Sequence, residues 1–474
     1  MIPTSVADIV GITAATVVGQ PTDILVSADV EIDSRLVRPG GLFVALPGAH
    51  SDGHDHAAAA VLAGAVAVLA ARPVAGVPCL VVADPLAAMQ ALARELYVAG
   101  QEPLTFGITG SSGKTSTKDL LATLLADVGP TLSPPGSYNN EIGLPLTALR
   151  REVDTRFAVL EYSARGLGHI AFLRSIVQPH AATVLNVGSA HLGEFGSREN
   201  IARAKGELLE GESALNVLNA DDPLVLGLAR RTSEQVVTFG SGPDADYRAE
   251  ALELDNQGRA RFTLVTPWSG SAQVALQLRG EHQAANALAV AANVLGMGLW
   301  RDVEPVAALL SAAQPVSRWR MEVTERPDGV TVINDAYNAN PESMHAALET
   351  LAVMSRGKTR RTVAVLGPMA ELGESAAAAH LDLGRYVVRL GIARLVVVGP
   401  EAGGIHAGAV ADGRSGSESL HVTDVDAAVE LLRAELAPGD VVLVKASRSA
   451  GLERVAAALL VGPLGGSPPM ESSP

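Results

Sequence analysis

A single cysteine, Cys79, among 474 residues leaves the chain without any intrachain disulfide, and nothing in its usage points to an oxidising compartment. Aromatic residues make up only 3% of the chain while hydrophobic residues make up 48%. Cores built mainly from Ala, Val and Leu suit regular layers of alternating helices and strands. Positive charge is also scarce: 36 Lys and Arg against 51 Asp and Glu give a formal net charge of -15. Such a surface repels nucleic acid and anionic membranes as a whole, which leaves room for a local basic pocket around one phosphorylated ligand. No apolar run reaches the length of a membrane span. The most hydrophobic stretch, Ala57 to Ala71, is Ala-rich, contains Gly64 and reads as a helix running into a strand. The beginning, MIPTSVADIV, lacks the basic start and long apolar core of a secretory signal, so a cytoplasmic protein without stable membrane insertion is expected.

The length favours about three domains. Residues 1–101 mix short strands (Gly41 to Leu46, Ala65 to Ala70, Cys79 to Val82) with helices at Ala57 to Ala63 and Pro85 to Ala99, a small α/β unit. Residues 102–315 carry apolar strands at Leu104 to Thr109, Phe157 to Glu161 and Ala181 to Val187, each followed by a helix-compatible stretch. This rhythm predicts a parallel sheet covered on both faces. Alternating segments at Tyr247 to Leu254, Ala260 to Val265 and Ala272 to Leu278 look like an antiparallel addition, and helices at Gln283 to Leu295 and Val303 to Ala313 close the unit. Residues 316–462 repeat the strand-helix rhythm at Val330 to Asn334, Thr362 to Leu366, Arg394 to Val398 and Val441 to Lys445, a Rossmann-like doubly wound sheet. The tail, 463–474, is rich in Gly, Pro and Ser and is expected to be disordered. The fold class is therefore α/β in three domains.

In open parallel sheets ligands sit beyond the carboxyl ends of strands. The first such end carries Thr109-Gly110-Ser111-Ser112-Gly113-Lys114-Thr115-Ser116. Its glycines let backbone N–H groups turn toward an anion, and the following helix adds its positive end. Lys114 is placed to reach β- and γ-phosphate oxygens of ATP, and the Thr115 hydroxyl suits Mg²⁺. The general P-loop has a further Gly five residues before Gly113, where this chain has Ile108, so the loop is a shorter Gly-x-x-Gly-Lys-Thr form. Glu161 ends the apolar run Phe157 to Leu160, where an acid needs a partner, a metal or solvent. Asn186 and His191 follow the third strand, though a lone histidine there is more often structural. Lys205 by itself reads as a solvated helix lysine. His282 and Asn286 lie four apart on one helix face, an arrangement fit either for a nucleotide or for capping.

Taken together these motifs resemble those of the Mur ligases, ATP-dependent enzymes that add amino acids to UDP-N-acetylmuramic acid in peptidoglycan assembly. The short loop Gly110 to Thr115 is similar to the family's form of the P-loop. Asp33-Ser34-Arg35-Leu36-Val37-Arg38-Pro39-Gly40, Leu42 to Gly48 and Asp52-Gly53-His54-Asp55 look like the UDP-binding pattern of the third and fourth ligases in the series. Tyr138-Asn139-Asn140-Glu141-Ile142-Gly143-Leu144-Pro145, Asp335 to Met344 and Gly439 to Ser449 are similar to the fourth in particular. That ligase joins D-alanyl-D-alanine to UDP-N-acetylmuramoyl-tripeptide. The resemblance implies that Lys114 meets the phosphates, that Thr115 and Glu161 hold one Mg²⁺ and His191 a second, and that Lys205 matches a lysine carbamylated in related ligases. It further implies Asn286 at the adenine, Arg320 toward the γ-phosphate, Asp335 at the ribose, and Ser34, Arg35, Asn139 and Asn140 with the UDP-linked substrate. Lys114, His191, Lys205 and Arg320 would carry catalysis, and a monomer is expected. Arg320 and Asp335 are expected to stand apart from Lys114 in an open state and to approach it when the domains close.

Overall fold

The computed structural model describes residues 1–19, 23–48, 51–190, 192–355, 360–415 and 418–461. His191 and the tail 463–474, expected above to be disordered, lie outside them. Each of the three expected regions has its own sheet. In the first, a five-stranded sheet runs Thr16–Val18, Cys79–Val81, Ala67–Ala70, Leu42–Val44, Val30–Glu31 in spatial order, parallel except at Thr16–Val18. Strands of two or three residues, such as Val30–Glu31 and Thr16–Val18, are too short to show periodicity, so the sequence reading passed over them.

The second sheet has nine strands in the order Ser271–Arg279, Arg259–Val265, Tyr247–Leu254, Val236–Gly240, Leu215–Asn219, Ala181–Val184, Leu104–Thr109, Phe157–Glu161, Thr131–Leu132. The strand Leu104–Thr109 lies between Phe157–Glu161 and Ala181–Val184, all parallel, so Thr109, Glu161 and Val184 end side by side at one rim. These central strands are apolar on both faces because helices cover both faces. The antiparallel addition is present at the other edge, although Tyr247–Leu254 joins its parallel neighbour through Phe239↔Tyr247 and Gly240↔Arg248. The third sheet runs Glu322–Glu325, Thr331–Asn334, Val441–Lys445, Thr362–Leu366, Arg394–Val398, Ser419–Val422, parallel but for its first strand.

The first and second domains share one apolar core: Met89, Leu92 and Tyr97 of the helix Pro85–Tyr97 belong to the same cluster as Leu144, Leu149 and Leu160. Polar ties reinforce this joint. Arg151, 2% exposed, donates to the carbonyls of Leu96 and Ala99, capping the end of that helix, and also to the Gln101 carbonyl. Arg150 pairs with Glu31 at 3.0 Å. Burial raises the Glu31 pKa and the Arg150 charge opposes that rise. The third domain meets the second through narrower contacts: a β-carbon on Gly258 would fall 2.9 Å from Thr350 Cγ2, and Arg320 crosses from one domain to the other.

Candidate functional site

The phosphate loop joins the strand Leu104–Thr109 to the helix Lys114–Ala126, so free N–H groups of the helix start face the rim of the sheet. Gly113 has φ +80°, and a β-carbon there would sit 2.7 Å from Asn286 Oδ1, so both its conformation and its neighbour require glycine. From the adjacent strand end, Asn186 braces the loop: its Oδ1 accepts from Ser111 N at 3.0 Å and Ser112 N at 2.9 Å, and its Nδ2 donates to Ser112 O at 3.1 Å. Lys114 Nζ donates to the Gly110 carbonyl at 2.6 Å. Burial lowers the Lys114 pKa, with Glu161 opposing the shift.

Glu161 is fully buried. One carboxylate oxygen accepts from Asn139 Nδ2 at 3.1 Å, and the other has no hydrogen-bond partner among the described residues. A buried carboxylate oxygen left so is costly unless a cation completes it, which is the signature expected of a metal ligand. Thr115 Oγ1 pairs with Ser137 Oγ at 2.9 Å. Ser137 carries no role in the sequence reading, although it immediately precedes Tyr138-Asn139-Asn140. Its loop is held by Lys118, one helical turn beyond Lys114, whose Nζ donates to Pro134 O at 2.7 Å and Gly136 O at 3.2 Å.

Lys205 corrects the reading it received in isolation. It is 6% exposed rather than solvated, and no hydrogen bond or ion pair reaches its side chain among the described residues. Burial, seconded by the charge of Lys114, pushes its pKa well down.

From the third domain, Arg320 donates to Thr115 Oγ1 at 2.9 Å and Ser137 Oγ at 3.1 Å, so the structure holds this arginine against the phosphate loop in a docked arrangement. Its neighbours Trp319 (φ +61°) and Met321 (φ +51°) both adopt left-handed conformations that cost about 1–3 kcal/mol each. The surroundings fix them: Trp319 N donates to Glu322 Oε2, Met321 N to Asp335 Oδ1, both at 3.0 Å, and the Arg448 guanidinium lies 4.2 Å from the Trp319 ring centre. Asp335 also accepts from Lys445 Nζ at 2.6 Å. Asn286 accepts no capping task; its Nδ2 donates to Gln283 Oε1 at 2.9 Å, and His282 makes no cap bond.

A cavity of about 970 Å³ gathers these groups. Ser111 to Ser116, Asn139, Asn140, Glu161, Asn186, His282, Asn286, Arg320, Asp335 and Lys445 line it. Thr109, Gly110 and Lys205 do not line the cavity. Asn140 Oδ1 accepts from Gly143 N at 2.8 Å, at the start of the helix Gly143–Leu149. That helix ends beside Arg150, the partner of Glu31, so it bridges the cavity and the first domain. Ser34 and Arg35 lie elsewhere, just past the strand Val30–Glu31, also at the carboxyl end of a parallel pair. The Arg35 side chain is 86% exposed and its bonds to Asp33 hold that carboxyl down at about 2.

A parallel-sheet rim with a phosphate loop, a buried acid lacking a partner and an arginine delivered from a second domain defines a nucleotide-dependent transferase or ligase site. Comparison with known proteins narrows the class. Residues 28–97 match the family described as Mur ligase family, catalytic domain, residues 108–294 the Mur ligase middle domain, and residues 319–448 the Mur ligase, glutamate ligase domain. The chain is 50% identical to the UDP-N-acetylmuramoyl-tripeptide–D-alanyl-D-alanine ligase of Mycobacterium tuberculosis, over 98% of either chain. It is 37% identical to the Escherichia coli enzyme of that name, over 93% of this chain and 95% of the other. The crystal structure of MurF from Acinetobacter baumannii superposes with a TM-score of 0.84 at 31% identity, covering 97% of this chain and 99% of that one. MurF of Thermotoga maritima in complex with ADP gives 0.77 at 31% identity, covering 91% and 97%. The chain belongs to the Mur ligase family.

Proposed function

We propose that this chain joins D-alanyl-D-alanine to UDP-N-acetylmuramoyl-tripeptide at the expense of ATP, giving the UDP-linked pentapeptide, ADP and phosphate. The likeness to the tripeptide–D-alanyl-D-alanine ligases along nearly the whole chain carries the reading. The docked geometry around Lys114, Glu161 and Arg320 agrees with it chemically.

Forming an amide from a carboxylate and an amine in water is slow and uphill. The tripeptide carboxylate therefore attacks the γ-phosphorus of ATP, ADP leaves, and an acyl phosphate results. Both reacting partners are anionic, so the catalytic task is charge neutralisation and alignment. Once phosphate draws it off the Gly110 carbonyl, Lys114 holds the β–γ region. Arg320, already on the Thr115 hydroxyl, lies beside that region. Glu161 and Thr115, both lining the cavity, would hold Mg²⁺, joined by Lys205 only as a carbamate, and the ion would supply further neutralisation of the phosphate charge; the Glu161 oxygen without a hydrogen-bond partner among the described residues is the observation that fits. With its pKa driven down, Lys205 holds a neutral amine in a larger fraction of molecules than an exposed lysine does, the form that takes up carbon dioxide to give a carbamate. In the second half-reaction the neutral dipeptide amine attacks the acyl carbon and phosphate departs. Docking of the third domain limits access of water to the acyl phosphate. By the family resemblance Asn286 would meet adenine, Asp335 the ribose, and Ser34, Arg35, Asn139 and Asn140 the UDP-linked substrate.

Phosphate release tests the reading. It is expected only when ATP, UDP-tripeptide and D-alanyl-D-alanine are all present; steady release from ATP alone would point to an ATP-driven switch instead.

A further inference from the structure

The third domain touches the phosphate-loop side of the second at a place that neither the metal-type groups nor Arg320 accounts for. Glu342 stands in the first turn of the helix Pro341–Ser355. Its two carboxylate oxygens each accept one bond from the same residue across the domain boundary: Oε1 from Ser189 N at 2.8 Å, Oε2 from Ser189 Oγ at 3.1 Å. The preceding residue is tailored to that approach, since a β-carbon on Gly188 would fall 2.8 Å from Glu342 Cδ. The loop so gripped is the one that braces the phosphate loop: Gly188 N donates to Ser111 Oγ at 2.9 Å, two residues after Asn186. A second close approach follows, where a β-carbon on Gly193 would fall 2.8 Å from Gly373 N of the third domain.

We propose that Glu342 is a docking latch, a positioning residue whose grip on Ser189 couples the seating of the third domain to the phosphate loop through Gly188 and Ser111. An isolated exposed contact of this kind contributes little. Here the acceptor is charged, both oxygens are used, one donor is a backbone N–H whose place is fixed, and the loop beyond leads directly to the nucleotide side. Seating the third domain therefore orders Ser111 at the same time as it delivers Arg320. The latch acts on the fraction of docked molecules and makes no demand on the chemistry itself, so its loss lowers kcat more than it raises the KM for ATP.

The kinetic part of this inference rests on the ligase reading, whereas the docking part does not. The test compares full-length wild type with E342A, E342Q, S189A and the E342A/S189A double variant. Small-angle scattering with a non-hydrolysable ATP analogue and Mg²⁺ reads compaction, and steady-state kinetics read kcat and KM. E342A is expected to lose compaction and about tenfold in kcat, with less than about a twofold change in the KM for ATP. E342Q, which retains an acceptor for Ser189 N, recovers part of both, and the double variant is no worse than E342A. Wild-type compaction and kcat in E342A, or effects of E342A and S189A that simply add, would overturn the latch. Should E342A misfold, E342Q and S189A carry the same comparison, and equality of both with wild type overturns it. Loss of compaction in E342A alongside a wild type inert toward the tripeptide would uphold the latch and sink the ligase reading.

Discussion

The second and third domains are both built on parallel sheets with charged residues at their strand ends, yet they treat those charges in opposite ways. In the third, buried charges at the strand ends are paired: at the carboxyl ends Lys445 meets Asp335 at 2.6 Å, and at the amino ends Arg394 meets Glu435 at 2.6 Å and Asp440 meets Arg361 at 2.8 Å. In the second, among the described residues, Glu161 keeps an oxygen with no hydrogen-bond partner and the Lys205 side chain has no polar partner, while Lys114 turns back on its own loop. Charges completed inside the protein hold shape; charges left incomplete mark where a ligand is expected to complete them. The third domain thus acts as a preformed arm, and the second carries the groups suited to a nucleotide.

This contrast can be broken most forcefully at the incomplete charges. K114A and E161A are expected to cut turnover by about 10²–10³-fold or more with thermal unfolding unchanged or improved, because each removes a charge that the free protein does not pair. Chelation of divalent cations should bring the wild type to the same low turnover, measured as phosphate release. At the paired charges the order reverses: K445A leaves Asp335 facing no cation and should destabilise the third domain by about 3 kcal/mol in denaturant titration, with D335N/K445M closer to wild type. Lys205 gives a pH signature. A lysine whose folded pKa lies below its unfolded value of about 10.4 penalises the fold fully below the folded pKa, and the penalty fades as pH rises toward the unfolded one. K205M in bicarbonate-free buffer should accordingly raise Tm at pH 7, with the gain shrinking toward pH 10. The smallest effect is expected from S137A, about 1 kcal/mol in nucleotide binding by titration calorimetry, because Thr115 and Arg320 keep each other as partners.

Much of this was legible in the chain. Strands such as Thr362–Leu366, Arg394–Val398 and Val441–Lys445 are unbroken apolar runs buried on both faces, and their ends coincide with the expected ones. Leu215–Asn219 and Val236–Gly240 do not stand out because Asn216 interrupts the first apolar run and Thr238 the second. At the site, Gly110 to Thr115 and Glu161 announced themselves through a strand end followed by a helix or an acid. Ser137, Lys118 and Glu342 did not, since their value comes from contacts across 22, 16 and 153 residues of sequence. Spacing along a helix carries no information about pairs so far apart. Lys205 was misjudged in isolation for a related reason: the helix Arg198–Gly206 is strongly polar, and only its packing reveals which side chain is turned inward.

The most direct test of the account is mass spectrometry of the products formed from ATP, Mg²⁺, D-alanyl-D-alanine and defined UDP-linked peptides, with lysine or diaminopimelate at the third position. The account predicts that a tripeptide substrate gains the mass of the dipeptide less one water, with one ADP formed per product. An inert tripeptide together with a UDP-linked dipeptide extended by one amino acid would contradict it.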